Sequence, residues 1–303
     1  MAGPPDSSRI GVAIASRDRR ALVVATVARL RALPERPPVV VADDASADGT
    51  VAALRARPDH GAGVEVVALG RSAGAAARTA AIARLDAPYA ALSDDDSWWD
   101  PGALAHAADL LDRHPRLGLI AAAVVVGPER RPDPTCAAMA ASPLAAPAAE
   151  RDLPGVPVAG FVACGAIVRR DAYLAVGGFH PRFGVGGEER LLAIDLRAAG
   201  WAIRYVPEVV AHHCPPPGGD GRPRRRVGTV RNDLWTIWLR RSGRRLPGAT
   251  VQRLRAAGWD GGRTARGLAA ALGGLPWVVR ERRTLPVPVE RELSTLETNV
   301  DRG

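Results

Sequence analysis

Short apolar runs alternate with stretches of helical periodicity along the first third of the chain, a pattern that predicts a parallel sheet wrapped by helices. Ile10 to Ala15 reads as a buried strand, Arg19 to Leu33 as a helix, and Val39 to Val41 as a second strand. A helix from Thr50 to Arg57, a third strand from Val64 to Leu69, and a Gly70 to Gly74 turn into a helix ending near Leu85 follow. The fourth strand closes on Ala90, Ala91 and Leu92, and Pro101 opens the next helix. Such alternation implies right-handed crossovers and a doubly wound α/β sheet whose ligands gather at the carboxyl ends of the strands. Later, Val162 to Val168 and Tyr205 to Ala211 read as strands, with helices starting at Arg169-Arg170-Asp171 and running from Leu191 to Ala199. Between about Pro128 and Pro157 the chain is rich in Ala and Pro with little period, which predicts a mobile excursion over a site.

At 303 residues the chain can bury a sizeable core. It has no apolar run of the roughly 18 to 20 residues that a membrane span needs, and Met1 to Ser8 is too short and polar for a signal peptide, so a cytoplasmic location is expected. Cys136, Cys164 and Cys214 are odd in number and widely spaced, which suits a reducing compartment and matches no disulfide framework or zinc ribbon.

The net charge of +9 is a weak clue to function, because all 41 basic side chains are Arg, which with abundant Ala, Gly and Pro reflects GC-rich codon usage. The absence of Lys excludes a Walker-type phosphate loop, Schiff-base catalysis and a pyridoxal site. Arginines cluster at Arg222 to Arg226, Arg240 to Arg245 and Arg280 to Arg283. Of solvent, an anionic membrane surface and nucleic acid, the first two suit these clusters better. Pro215 to Pro223 reads as a connector, and RRRVGTVRNDLWTIWLRR then places Val230, Leu234, Ile237 and Trp238 at helical spacing. Such a helix either packs on the rest of the protein or makes peripheral contact with an anionic membrane. From Gly243 a short helical tail is expected, frayed from Thr298 to Gly303.

Two acidic clusters sit at strand ends. Asp94, Asp95 and Asp96 are three adjacent like charges, which a fold tolerates only with compensating donors or a cation; a hard dication such as Mg²⁺ or Mn²⁺ takes one or two carboxylates plus phosphate oxygens. In ADDASADGT, Asp43 and Asp44 emerge where a strand stops, Ser46 and Asp48 suit tight turns and caps, and Gly49 permits a positive φ. An acidic side chain at a strand end can accept from a ribose hydroxyl or a base. Farther on, glycines from Gly177 to Gly187 flank a loop of unusual backbone freedom just before Glu188.

VAIASRDRR, VVVADDASADGT, GRSAGAAART and LSDDDSWWDP, in that order, resemble the successive motifs of family-2 glycosyltransferases with the GT-A fold. GFVACGAIVRRDAYLAVGGF and GGEERLLAIDLRAAGWAIRYVPEVVAHH are similar to the acceptor-side half of that family. The resemblance implies a mostly parallel doubly wound sheet and a metal-assisted, inverting transfer of a sugar from a nucleoside diphosphate, with Mn²⁺ or Mg²⁺ as cofactor. It implies a catalytic domain over residues 1–213, with a nucleotide-binding half over about 10–101 and an acceptor half over about 102–213, followed by a linker and Arg-rich helical extension over 214–303. By position it makes Asp44 the reader of base or ribose, with Asp43 beside it and Ala15 and Ser16 as the floor of that pocket. Arg78 falls near base or diphosphate, Asp94 and Asp96 at the two ends of the DxD motif, Asp95 near the ribose, and Asp96 as the direct metal ligand. Glu189, second of the Glu188-Glu189 pair, falls where the family keeps its base, and His212 where it keeps a contact to metal or diphosphate. Arg17-Asp18, Arg71 and Leu191 depart from the usual aromatic-Asn, Asn and Asp.

The implied partners are a nucleotide-sugar donor and an acceptor that is a glycan, a lipid-linked glycan or a small molecule, with no nucleic acid. A nucleotidyltransferase would share sheet, metal and nucleotide but uses a glycine-rich first loop, and SRDRR has no glycine run. A basic nucleic-acid-binding protein is the non-enzymatic alternative, marked by steeply salt-dependent binding.

Overall fold

The computed structural model describes residues 9–216, 222–258 and 262–300. The first half follows the alternation expected: β1 (Ile10–Ser16), α1 (Arg20–Arg31), β2 (Val39–Asp43), α2 (Thr50–Arg55), β3 (Val64–Ala68), α3 (Ala77–Arg84) and β4 (Tyr89–Ser93). Then come β5 (Ser97–Trp99), α4 (Ala103–Arg113), β6 (Leu117–Val126), β7 (Arg131–Pro132), α5 (Pro134–Ala140) and β8 (Val156–Pro157). The sheet-bearing part closes with β9 (Ala166–Arg169), α6 (Arg170–Ala175), α7 (Glu188–Ala198) and β10 (Ala202–His213). The extension comprises α8 (Arg222–Arg240), α9 (Leu246–Ala257), α10 (Arg263–Gly273), α11 (Leu275–Glu281) and α12 (Val287–Val300).

The sheet runs β3-β2-β1-β4-β9-β6-β10-β5, with β7 on β6 and β8 on β10. β3, β2, β1 and β4 are parallel neighbours, so the chain leaves them all at one edge. β9 is antiparallel to both β4 and β6, and therefore enters the sheet at the edge where β4 ends. β10 runs parallel to β6 and delivers its C-terminal end beside β5. Three parts of the chain far apart in sequence meet along that edge.

Local chemistry accounts for the elements. α1 buries Val23, Thr26, Val27 and Leu30, the i, i+3, i+4, i+7 stripe of an amphipathic helix. β1, β2 and β4 are buried on both faces and read as near-continuous apolar runs, as central strands between two helical layers do. Each fully buried Val, Leu or Ile contributes about 1.5–3 kcal/mol of transfer free energy before entropy is charged against it.

Several expectations need correction. The helix after the acidic loop starts at Ala103, two residues after the expected start at Pro101, because Gly102 at φ 84° turns the chain first. The stretch from 128 to 157 is mostly exposed but is tied down at several points, which a wholly open excursion would not be. Asp133 caps α5 by accepting from the Thr135 amide at 2.8 Å, and buried Cys136 and Met139 anchor that helix on the core. Glu150 is held by Arg197 at 2.9 Å and by Arg204. The tail is a set of helices with a second hydrophobic core, built from Val230, Leu234, Trp235, Ile237 and Trp238 of α8 with Ala249, Ala271, Trp277 and Val278. Phe183 and Leu191 belong to it too, so the extension is seated on the sheet-bearing part of the chain. The apolar face of α8 is thus spent inside the protein, and Arg240 and Arg241 are committed to Asp195 and to Glu290 and Glu297. No helix among the described residues is long and apolar enough to cross a membrane. Residues 217–221 of the expected connector and 301–303 of the expected frayed end lie outside the described residues.

Candidate active site

The edge where β1, β2 and β4 end gathers the predicted acids. Ser16 pairs with Asp43 in register, and Asp44 follows. The Asp44 carboxylate accepts from Ser72 Oγ at 2.6 Å and from the amides of Ala73 at 2.5 Å and Gly74 at 3.1 Å, fixing the turn before α3. Asp43 Oδ2 accepts from the Ser46 amide at 3.0 Å, while its buried Oδ1 has no partner. Ala15 is half-buried and pairs with Ala42, next to Asp43. Asp48 caps α2 through the Thr50 amide at 3.0 Å, with Gly49 at φ 82° before the helix, as the turn chemistry predicts.

The three adjacent aspartates are neutralised one by one. Asp94 pairs with Arg78, whose buried Nε has no partner. Asp95 accepts from Ser16 Oγ at 2.9 Å and Arg19 at 2.8 Å; the same Arg19 nitrogen lies 3.1 Å from Asp96. His213 Nε2 stands 3.4 Å from the other Asp96 oxygen. Burial pushes the Asp95 carboxyl above its ordinary range despite Arg19 and Ser16. Burial alone would raise Asp96 as well, but His213 and Arg19 overcome it and hold that carboxylate below the ordinary range. Neighbouring carboxylates driven apart in this way suit different tasks.

His213, not His212, joins this cluster. The β10 register sets His213 opposite Ser97 and His212 opposite Trp98, and successive strand residues face opposite sides. His212 bonds Asp100, lies 3.3 Å from Arg130 and stacks on Trp98 at 5.3 Å between ring centroids. Cys164, in the single 3₁₀ turn that leads into β9, completes a second grouping: its Sγ, a carboxylate oxygen of Asp94 and a ring nitrogen of His213 all lie within 4.8 Å of one another.

Opposite the acids, Gly187 at φ 84° starts α7 and puts Glu188 and Glu189 in its first turn. Glu188 is buried and folds back to accept from the Gly186 amide, which pins the turn just before its helix. Glu189 is half-buried and lies near enough to Cys164 for its charge to help raise that thiol, as Asp96 does; burial is the main cause, and the thiol is pushed up to about 12. Glu189 and Asp96 thus both lie close enough to Cys164 for their charges to act on it, as do Arg78 and Asp133.

A family model described as "Glycosyl transferase family 2" matches residues 12–177, more than half of the chain. The chain belongs to this glycosyltransferase family. The matched residues include Asp44, Arg78, Asp94 to Asp96 and Cys164, and stop short of Glu188, Glu189 and His213. Among solved structures, it is similar to the mannosyltransferase PcManGT from Pyrobaculum calidifontis in complex with GDP-Man and Mn²⁺, at TM-score 0.59 and 19% identity over 98% of this chain and 82% of that one. GalNAc-T7 with UDP, GalNAc and Mn²⁺ matches at TM-score 0.63 and 12% identity, over 92% of this chain and 57% of that one. S. aureus TarS 1-349 in complex with UDP-GlcNAc matches at TM-score 0.60 and 12% identity, over 93% and 82%. No curated protein sequence matches. The likeness to these structures is one of GT-A fold.

In this glycosyltransferase the loop that carries the glutamates is gripped from two sides. Gly184 O accepts from the Ala75 amide at 3.0 Å, and Gly74, at φ 60°, packs so tightly on Gly184 that a Cβ there would lie 2.8 Å from its Cα. On the other side Asn232 of α8, fully buried, donates from Nδ2 to Phe183 O at 2.9 Å and Gly186 O at 2.7 Å. Asp44, through Ser72 to Gly74, is thereby linked to the start of α7. Asn232→Leu keeps the size of the side chain and strands a buried carbonyl at a cost of about 1–3 kcal/mol. It is expected to speed amide hydrogen exchange in 183–187 and to lower kcat with little change in donor affinity. Unchanged exchange in that peptide would show that Asn232 does not hold the loop.

Sequence reading missed Arg19, Cys164, His213 and Asn232. Arg19 lay in view within SRDRR, where its neighbours at Arg17 and Asp18 drew the attention. The other three depend on how distant strands and helices meet.

Proposed function

We propose that this glycosyltransferase moves a sugar from a nucleoside-diphosphate sugar to an acceptor hydroxyl with inversion, assisted by a divalent metal. The observation that carries the reading is the acidic cluster at the carboxyl edge of the sheet, where Asp43 ends β2 and His213 of β10 stands 3.4 Å from Asp96, just after β4.

Asp96, held anionic, and Asp94, with His213 between them, are the residues that would hold the ion. The carboxylate and imidazole donors and their spacing fit a dication. When bound, such an ion stabilises charge on the leaving diphosphate. Arg78 is paired with Asp94 here and has an unused Nε, which suits it to turn toward diphosphate oxygens. Asp43 Oδ1, buried and without a partner, supplies the acceptor for a ribose or base donor, next to Ala15 and Ser16; Asp44 shapes that pocket through the turn it fixes. Asp95, tied to Ser16, braces the pocket floor.

On the acceptor side, Glu189 takes the hydroxyl proton as the oxygen attacks the anomeric carbon from the face opposite the diphosphate, which gives inversion. Glu188 fixes the turn from which Glu189 projects. His212, stacked on Trp98 and bonded to Asp100, braces β10 so that His213 reaches Asp96.

A thermal-shift screen of nucleoside diphosphates and nucleotide sugars, with and without Mn²⁺, tests the donor. Ligand at a hundred times its Kd stabilises the native state by about 2.7 kcal/mol. The melting temperature is expected to rise with one nucleoside diphosphate and to rise further with Mn²⁺. No shift with any of them would overturn the reading.

A further inference from the structure

We propose that Cys164 is a metal ligand, so that Asp94, His213 and Cys164 form a mixed carboxylate, imidazole and thiolate set that prefers a transition-metal dication to Mg²⁺. This rests on the metal-assisted reading above and narrows it to the class of ion.

Three features carry it. The ligating atoms of the three residues lie within 4.8 Å of one another. Bonds of about 2.0–2.3 Å to O, N and S place tetrahedral ligand atoms about 3.3–3.8 Å apart, so closing around an ion needs a movement of about an ångström. The fold also delivers the thiol deliberately close. β9 is antiparallel to β4, and Cys164 sits two residues before Ala166, which pairs with Leu92 at the end of β4. Finally, Cys164 is 2% exposed at the margin of the main hydrophobic core, yet Arg78, Asp96, Asp133 and Glu189 lie near enough for their charges to act on it. Cys136, by contrast, spends its sulfur on the backbone of Val124.

A thiolate ligand changes selectivity. Mg²⁺ takes oxygen donors and sheds water reluctantly, whereas thiolate and imidazole suit softer first-row ions. As the metal–sulfur bond forms, the thiol proton leaves to solvent; no oxidant or other reactant is needed. Asp96, beside His213, remains available to the same ion.

The test is the near-ultraviolet spectrum of the full chain with one equivalent of Co²⁺, alongside Mg²⁺ and Co²⁺ affinities from titration calorimetry. A sulfur-to-cobalt charge-transfer band is expected in the wild-type protein and in Cys214→Ser, which removes the neighbouring thiol. Cys164→Ser should abolish the band and weaken Co²⁺ binding by at least about tenfold while moving Mg²⁺ affinity much less, given the softness of the lost donor. Co²⁺ bound by the wild-type protein with no band would overturn the ligand assignment and leave the metal-assisted reading standing. No binding of any dication, even with nucleoside diphosphate present, would sink both. The wild-type spectrum decides the matter even if Cys164→Ser fails to fold.

Discussion

Glu189→Gln is expected to lower kcat by at least about a hundredfold, within the usual range for a lost general base, with donor affinity kept. The amide preserves shape and the first turn of α7, so the melting temperature should stay near wild type. Glu188→Gln separates the roles. Glu188 spends its carboxylate on the Gly186 amide and is 3% exposed, so its substitution should cost stability and loosen the loop, with a smaller effect on turnover per folded molecule. Measuring kcat, donor affinity and thermal stability side by side decides between them. Near-normal turnover in Glu189→Gln would remove it as the base.

Asp96→Ala is expected to have the largest effect. The carboxylate is 6% exposed, yet it is held charged by His213 and Arg19, the state a dication needs. Losing its grip on the ion forfeits several kcal/mol of leaving-group stabilisation, at about 1.36 kcal/mol per factor of ten, so kcat should fall by roughly a thousandfold or more. Stability behaves differently. Arg19 keeps Asp95 at 2.8 Å, but His213 loses its acidic partner, so a modest loss of about 1–3 kcal/mol is the expected cost of an unmet buried group. Activity that survives in EDTA, or in this variant, would exclude metal assistance through Asp96.

The two substitutions act on residues that the chain separates widely, and they were legible to different degrees. The acidic strand ends could be read directly. β1 to β4 are apolar runs bounded by turn residues, and a parallel sheet with right-handed crossovers leaves one arrangement in which Ser16, Asp43, Asp44 and Asp94 share an edge. Glu188 and Glu189 were legible as a pair but not by role. Which carboxylate turns back onto the Gly186 amide depends on how Gly184 to Gly187 are gripped by Gly74 and Asn232.

The sequence by itself determined the α/β class, the order of the first four strands and the acidic edge, because these follow from local periodicity, turn chemistry and chirality. Only the tertiary structure decided which histidine joins the acids. Side chains alternate along a strand, so one residue of slip exchanges the faces, and β10 carries such an irregularity between Val206 and Val210. Counting along the sequence from Tyr205 therefore cannot tell His212 from His213. The same holds for Cys164, which matters only because β9 runs antiparallel beside β4, and for the 128–157 stretch, whose buried Cys136 and Met139 have no period to announce them. The arginine-rich extension was read from its charge. Its neighbours decided its place, by burying the apolar face of α8 and supplying carboxylates for Arg240 and Arg241.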